Sequence, residues 1–188
     1  MAKKIELSYY QPTVKNDYFG RAKAQIDELT YGASIFFDVD GTAIYYSGKS
    51  GGRKRIRTDF DRIYYYLLNQ RPDIKLYTLS YRSKGDGIPE LSGYAFAASI
   101  YSEHIDATLN EIEKSVLVQS ILAFLRSVDQ GQENNPLILR LQSPAYKKLL
   151  FLLVRCTKVL SHAMIIDDGD DGLLAQKLRI GVGVGIDY

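Results

Sequence analysis

Two aspartates follow an apolar run early in the chain and are separated by a single residue. In the stretch FFDVDGT, Asp38 and Asp40 precede a glycine and Thr42. Side chains two residues apart on a strand point to the same side, so both carboxylates can enter one pocket. One carboxylate can attack phosphorus while the other handles the proton. Two carboxylates at this spacing suit phosphoryl transfer, with Asp38 attacking and Asp40 handling the proton, but a D-x-D by itself is also common at solvated strand ends, so the other motifs must decide.

The same stretch shares features with two other ion-binding loops. An EF-hand calcium loop has glycine at its sixth position, glutamate at its twelfth and a helix on each side. Counted from Asp38, the twelfth residue is Lys49, and the preceding run is a predicted strand. The segment AIYYSGKS matches a phosphate-binding P-loop except at Ala43, but Gly51 and Gly52 disfavour the helix that should follow. Both alternatives fit less well than the paired carboxylates.

Three further motifs follow in a defined order. They are YTLSYR, AYKKLL and MIIDDGDDG. Together with the first motif, D-x-D-x-T, which is matched by Asp38, Asp40 and Thr42, this order resembles the phosphatases of the haloacid dehalogenase superfamily. The matches extend over residues 33–187. Receiver domains use the same residue types, but their acidic pair lies on the first strand and their lysine comes last.

The resemblance implies a magnesium-dependent phosphomonoester hydrolase that works through an aspartyl-phosphate intermediate. Asp38 would attack the phosphoryl group, and Asp40 would protonate the leaving oxygen and then activate water. Magnesium prefers oxygen ligands, which Asp38, the backbone carbonyl of Asp40 and Asp168 would supply. Asp167 and Asp171 would tune the metal or orient waters and the lysine of the third motif.

Hydroxyl and backbone groups near the nucleophile are candidates for binding the phosphate. Ser80 is the preferred hydroxyl of the second motif. Thr78 is the runner-up, because alternation along the strand places it on the same face. Gly41 and Thr42 of the first motif are further candidates for contacts with the substrate.

The lysine of the third motif has several candidates. Lys148 is preferred to Lys147 because it lies nearer the apolar face of its predicted helix. Lys158 and Arg140 are the remaining ones. Cys156 lies on the same apolar face, and the residue six positions later is His162 rather than the arginine that cysteine phosphatases use. We therefore expect a core thiol.

The substrate class is inferred from what covers the site. Members of the superfamily that act on small metabolites usually have a cap domain after the first motif or between the second and third. Residues 42–73 have room for a flap and one helix, and residues 81–136 for two helices, so we expect no large cap. An open site suits a phosphate on a macromolecule, and the resemblance points to the uncapped protein phosphatases, including tyrosine-directed ones.

The predicted flap is basic and aromatic. Its residues are Tyr45, Tyr46, Lys49, Arg53, Lys54, Arg55 and Arg57. These side chains suit an acidic or phosphorylated peptide, with Arg53 and Arg55 as candidate substrate-binding residues. The alternatives are a polynucleotide phosphatase, a small-molecule phosphatase and a non-catalytic module that binds a phosphorylated ligand.

The elements that must position these residues follow from hydrophobic patterns. Apolar runs bounded by turn residues predict five strands, at 33–39, 74–80, 136–142, 163–167 and 180–186. Helical patterns lie between them, at 58–70, 91–104, 111–127, 144–156 and 170–179. This alternation predicts an α/β fold with a doubly wound, mostly parallel five-stranded sheet, helices on both faces, and a ligand at the carboxyl ends of the strands.

The whole chain has the size and charge of one soluble domain. It has 188 residues with 24 basic and 22 acidic ones, a balance that does not by itself predict nucleic-acid binding. We expect an N-terminal extension over residues 1–32 and a catalytic domain over 33–188, with membership of a longer protein left open. No signal core or membrane span is visible, so we expect a soluble protein in the cytoplasm where it is made, with export without a cleavable signal left open.

Overall fold

The structure is a computed structural model that describes residues 18–47, 53–112, 144–155, 162–168 and 181–184. Its helices are α1 (Tyr18–Glu28), α2 (Thr58–Gln70), α3 (Ser102–Ile112) and α4 (Pro144–Arg155), with a short 3-10 turn at Pro89–Leu91. Its strands are β1 (Ser34–Phe37), β2 (Ile44–Ser47), β3 (Arg53–Ile56), β4 (Lys75–Leu79), β5 (Ala98–Ile100), β6 (Ala163–Asp168) and β7 (Gly181–Val184).

The main sheet has the strand order β5-β4-β1-β6-β7, and every neighbouring pair is parallel. Strand β1 is central, and its Phe37 is paired with Thr78 of β4 and Ile166 of β6. Because the strands are parallel, the residues that follow β1, β4 and β6 lie at the same edge of the sheet. The α/β class and the parallel sheet predicted from the sequence are confirmed.

One edge strand of the sheet was not predicted from the sequence. Residues 91–104 were predicted as a helix, but they contain strand β5 and the first residues of α3. The Ala97 amide donates to the Leu76 carbonyl at 2.7 Å, and β5 then pairs with β4. Gly93 disfavours a helix here, and the edge of β4 offers backbone groups that need partners. The strand predicted at 136–142 lies outside the described residues, as do the helix at 170–179 and nearly all of that at 111–127.

Helices lie on both faces of the sheet. On one face, the Phe37 ring meets Phe60 of α2 edge-on, with a centroid distance of 5.1 Å. On the other face, Phe36 stacks on Tyr77 at 5.0 Å, and both line a cavity with Phe151 of α4. Adjacent residues of a strand point to opposite faces, so β1 is covered on each side.

Helix α2 is close to its predicted form. In its sequence, Ile63, Tyr64, Leu67 and Leu68 form one apolar face; the first three are buried, whereas Leu68 is 45% exposed. Thr58, with Asp61 three residues later, has the pattern of a helix cap, but the N-cap position is Arg57 and no side chain there bonds to the helix. The helix is therefore held mainly by its apolar face.

The described part of the N-terminal segment packs into the same core. Tyr18, Ala22, Ile26 and Leu29 are buried in the cluster that also contains the apolar residues of α2. Arg71, just after α2, donates from Nη1 to the Ile26 carbonyl at 2.7 Å and from Nη2 to the Leu29 carbonyl at 3.1 Å. These bonds give carbonyls at the end of α1 partners from another part of the chain.

Strands β2 and β3 pair antiparallel in a separate two-stranded sheet after the first motif. The first motif is thus flanked by strands, which agrees with neither an EF-hand nor a P-loop. Between the first and second motifs, the described residues contain this hairpin and α2. No helix in the described part of the chain has the length and apolar character that a membrane span requires.

Candidate active site

Asp38 lies directly after β1 and is buried, with 5% of its surface exposed. Its amide donates to the Ile166 carbonyl at 2.9 Å, so its backbone continues the pairing with β6. The Nζ atom of Lys148 donates to Asp38 Oδ1 at 2.6 Å and to Asp167 Oδ2 at 2.9 Å. Helix α4 thus supplies the Lys148 ammonium group, which contacts both Asp38 after β1 and Asp167 of β6.

Three carboxylates converge at this point. One oxygen from each of Asp38, Asp167 and Asp168 lies within 4.8 Å of the others, an arrangement that could hold a metal ion. Thr42 Oγ1 lies 3.2 Å from Asp38 Oδ2 and 3.3 Å from Asp168 Oδ1, so its single hydroxyl proton can serve either acid. Among the described contacts Lys148 pairs with Asp38 and Asp167, and a cation bound between the three carboxylates would add to this neutralisation.

Gly41 is required in the loop that follows Asp38. Its φ of +90° lies in the left-handed region, and a Cβ atom there would lie 2.1 Å from Asp168 Oδ2. The loop is closed by hydrogen bonds from the Gly41 amide to the Ile44 carbonyl and from the Ala43 amide to the Val39 carbonyl. A glycine thus allows the loop backbone to touch the acid supplied by β6.

Burial and charge act in opposite directions on the nucleophile candidate. Burial raises the pKa of the Asp38 carboxyl, because the charged form loses its hydration. The Lys148 ammonium and the Thr42 hydroxyl favour the ionised form and oppose this rise. A second cation near Asp38 would further favour the ionised form of its carboxyl over the neutral form.

Asp40 is placed differently from the other acids. Its carboxylate is paired with Arg82, which donates from Nε to Oδ2 at 2.8 Å and from Nη2 to Oδ1 at 2.5 Å. The acidic cluster contains Asp38, Asp167 and Asp168 but not the Asp40 side chain. The two carboxylates of the first motif thus have separate environments, one buried beside lysine and one at a half-exposed arginine pair.

The two hydroxyls of the second motif also differ. Ser80 is buried, and its Oγ atom accepts a hydrogen bond from the Arg82 amide at 3.2 Å. Thr78 is fully buried, and within the described part of the structure its Oγ1 atom has no hydrogen-bond partner. Thr78 pairs with Phe37, the residue before Asp38, so its side chain lies on the Phe37 face of the sheet.

The two adjacent lysines of α4 have distinct partners. Lys148 contacts Asp38 and Asp167, whereas Lys147 donates to Tyr81 Oη at 2.7 Å and to Asp106 Oδ1 at 2.8 Å. The other residues predicted for this site, Lys158, Arg140, Asp171 and Cys156, lie outside the described residues.

The basic flap corresponds to the β2–β3 hairpin. Lys54 and Arg55 are exposed, and the Arg57 guanidinium lies 5.8 Å from the centre of the Tyr45 ring. Lys49 and the side chains of Tyr46 and Arg53 lie outside the described residues. Lys54 forms an ion pair with Glu90 in the 3-10 turn, which ties the hairpin to the loop after β4.

Two residues of this region were missed in the sequence. Arg82 contacts Asp40 and Glu90, and Glu90 contacts Lys54. The only signal for Arg82 was an arginine two positions after the hydroxyl of the second motif. Nothing local marked Glu90, which is brought to the site by the loop between β4 and β5.

Comparisons with protein-family models, with curated proteins and with solved structures found no match for this chain. The functional conclusions below therefore depend on the chemistry and geometry of its own residues.

Proposed function

We propose that this protein is a phosphomonoester hydrolase of the haloacid dehalogenase type, with Asp38 as its nucleophile. The observation that carries the proposal is the convergence of Asp38, Lys148, Asp167 and Asp168 at the carboxyl end of a parallel sheet. A buried carboxylate beside a lysine and two further acids suits an anionic substrate that arrives together with a cation.

The proposed reaction uses the two carboxylates of the first motif. Asp38 attacks phosphorus, a bond forms between its oxygen and phosphorus, and the bond to the leaving oxygen breaks. Asp40, once protonated and released from Arg82, gives its proton to the leaving oxygen, and its carboxylate then takes a proton from the water that hydrolyses the aspartyl-phosphate. Lys148 favours the ionised form of Asp38 against the effect of burial and orients its carboxylate through the 2.6 Å contact.

Magnesium is the cofactor that we propose for the acidic cluster. Hard carboxylate oxygens are the ligands that magnesium prefers, and those of Asp38, Asp167 and Asp168 come within 4.8 Å of one another. The Asp40 backbone carbonyl is a further candidate ligand. When bound, the ion would reduce the repulsion between the nucleophile and the phosphate.

A phosphorylated protein, in particular one with phosphotyrosine, is the substrate class that we propose. The exposed basic residues Lys54 and Arg55 on the hairpin next to Asp40 favour an acidic or phosphorylated peptide. The same basic hairpin favours a 3′-phosphorylated nucleic-acid end as the second candidate.

The central test measures phosphate release with and without Mg²⁺ from three substrates: a phosphotyrosine peptide, 3′-phosphorylated DNA and an aryl phosphate. We expect turnover that requires Mg²⁺, the highest kcat/KM on the peptide, and at least about a 10³-fold loss of turnover in Asp38→Asn with the fold retained. A preference for DNA selects the second candidate. If the wild-type protein turns over none of the three, the chain is a non-catalytic module, and unchanged turnover in Asp38→Asn excludes Asp38 as the nucleophile.

A further inference from the structure

A cavity of about 490 Å³ lies on the face of the main sheet that α3 and α4 cover. Its floor is formed by side chains of β1, β4 and β5 that alternation places on one face, namely Ser34, Phe36, Tyr77, Ala98 and Ile100. Binding sites for small molecules have volumes of about 300–1,000 Å³. The cavity therefore has the size of a site for a small organic molecule.

Two helices form the walls of the cavity. Helix α3 contributes His104 and Thr108, and helix α4 contributes Phe151 and Arg155. The residues of each pair are four positions apart, so they lie on the same side of their helix. Three strands and two helices thus direct side chains into one space, and the site does not depend on a single element.

The lining is largely apolar and aromatic. Phe36 stacks on Tyr77 with a centroid distance of 5.0 Å and an interplanar angle of 17°. Phe151 is buried on the α4 side of the cavity. Aromatic side chains bury a large apolar area and pack favourably against other rings. The lining therefore favours a ligand with a flat, apolar body.

Arg155 gives the cavity its charge. It is exposed at the end of α4, and none of the described residues that line the cavity is acidic. A guanidinium group can donate two parallel hydrogen bonds to a carboxylate or a similar anion. His104, which is also exposed, adds ring nitrogens that can form hydrogen bonds with a ligand. These polar groups complement an acidic group on the solvent side of the ligand.

The cavity is separate from the acidic cluster, although the two are neighbours. Phe36 is two residues before Asp38, and Phe151 is three residues after Lys148. Neither Asp38 nor Lys148 lines the cavity. At about 3.3 Å per residue, Phe36 lies about 7 Å from Asp38 along the strand direction. A molecule in the cavity therefore occupies a site of its own.

We propose that this cavity binds a small aromatic acid. Its ring system packs against Phe36, Tyr77 and Phe151, and its acidic group pairs with Arg155. The inference does not depend on the proposed phosphatase function, because the acidic cluster takes no part in it.

The test titrates the protein with 2-naphthoate and with 2-naphthalenemethanol, a neutral alcohol that has the same rings, by isothermal titration calorimetry. We expect a Kd below about 1 mM for 2-naphthoate. The alcohol should bind about three- to tenfold more weakly, because it has no charge to pair with Arg155.

Arg155→Gln tests the origin of that difference. The affinity for 2-naphthoate should fall about three- to tenfold, and the affinity for the alcohol should change less than about twofold. Arg62→Gln is the matched control, because it removes an exposed guanidinium from α2 on the opposite face of the sheet. We expect it to leave both affinities unchanged.

Ala98→Phe tests the place of the ligand. Ala98 is exposed on the edge strand β5 and paired with Tyr77, so the added ring enters the cavity. We expect the affinity for both ligands to fall at least about tenfold, because the ring takes the space of the ligand. Ala97→Phe is the matched control, since Ala97 is exposed, does not line the cavity and precedes Ala98 on the opposite face. If Ala98→Phe does not fold, the comparison of Arg155→Gln with Arg62→Gln still decides the proposal.

Three outcomes would overturn the proposal. They are equal affinities of the wild-type protein for the acid and the alcohol, no binding of 2-naphthoate at about 5 mM, and binding that is unchanged in Arg155→Gln and Ala98→Phe. All three leave the phosphatase proposal standing. A wild-type protein without Mg²⁺-dependent turnover would in turn leave this binding site standing.

Discussion

Lys148 lies between two buried carboxylates and is itself buried, with 6% of its side chain exposed. Its ammonium group is the cation that offsets Asp38 and Asp167 among the described contacts, at 2.6 and 2.9 Å. Such a pair adds little net stability when complete, but removing one partner leaves an uncompensated charge in the interior. Lys148 should therefore be essential to the fold as well as to the proposed chemistry.

Lys148→Met tests this dependence. Without Mg²⁺, we expect the free energy of unfolding to fall by about 3–5 kcal/mol, because Asp38 and Asp167 lose their cation. Added Mg²⁺ should restore part of this loss. Urea unfolding with and without the ion measures both effects. Lys147→Met is the matched control, and we expect a change below about 1 kcal/mol, since its ion pair with Asp106 is partly exposed. Equal losses of stability in Lys148→Met and Lys147→Met would contradict the role of Lys148 as the cation between the two buried carboxylates.

Thr78 has a buried hydroxyl that no described group of the protein binds. Leaving such a hydroxyl unpaired costs free energy, and with no exposed surface it has no access to a bound phosphate. In Thr78→Val we expect the free energy of unfolding to rise by about 1–2 kcal/mol. The kcat/KM for an aryl phosphate should stay within about threefold of the wild-type value.

Ser80→Ala is the matched variant for that prediction. Ser80 Oγ accepts from the Arg82 amide, so its loss should lower the free energy of unfolding by about 1 kcal/mol. A loss of activity in Ser80→Ala with none in Thr78→Val would assign the phosphate contact of the second motif to Ser80, and the reverse result would assign it to Thr78.

At the scale of an element, the loop from Asp38 to Ile44 joins the central strand to the hairpin. It is tight enough that the Gly41 backbone touches Asp168, which comes from the neighbouring strand β6. The spacing of the acids thus depends on the absence of a side chain at residue 41. Backbone conformation and the acidic cluster are linked at this position.

Gly41→Ala should disturb both properties. The left-handed φ costs an alanine about 1–2 kcal/mol, and its Cβ would displace the Asp168 carboxylate. We expect lower stability and the loss of stabilisation by Mg²⁺, measured as the shift in thermal unfolding when the ion is added. Gly32→Ala is the control, because it has a φ of +74° with no atom within 4 Å of the added Cβ. If Gly41→Ala responds to Mg²⁺ as Gly32→Ala does, the proposed cluster is wrong.

At the scale of the whole molecule, carboxylates join segments that are distant in sequence. Asp73 accepts from Arg71 and from the Gly32 amide, which links the turn after α1 to the start of β4. The hydrogen bond from Arg71 is the largest cause that lowers the Asp73 pKa from 3.8 to about 2. Glu90 is likewise lowered from 4.5 to about 2.

These two shifts predict acid sensitivity. A folded-state pKa below the unfolded value adds stability above the unfolded pKa, and this contribution disappears as the pH falls through the folded pKa. We therefore expect stability to decline from about pH 5 to about pH 2. In urea unfolding across this range, the free energy of unfolding should fall less steeply with decreasing pH in Asp73→Asn and in Glu90→Gln. Each variant should reduce the number of protons taken up on unfolding by at most about one. An unchanged pH dependence in both variants would contradict the role of these pairs.

Local patterns were sufficient for much of the fold. Strands β1, β4 and β6 and helices α2 and α4 agree with their apolar runs within a few residues, because hydrophobic periodicity involves near neighbours only. Strand β5 was not predictable in this way. Its residues are strand because the edge of β4 offers them partners, a contact that no local pattern contains.

The sequence by itself determined the types and order of the acids, hydroxyls and lysines, and the strand and helix ends at which they lie. Only the tertiary structure decided which of them meet. Lys148 and Asp38 are 110 residues apart and touch, while Asp40, two residues from Asp38, turns to Arg82. The physical reason is that a strand end specifies a position in the sheet, whereas contacts depend on how helices and loops from other parts of the chain pack above it.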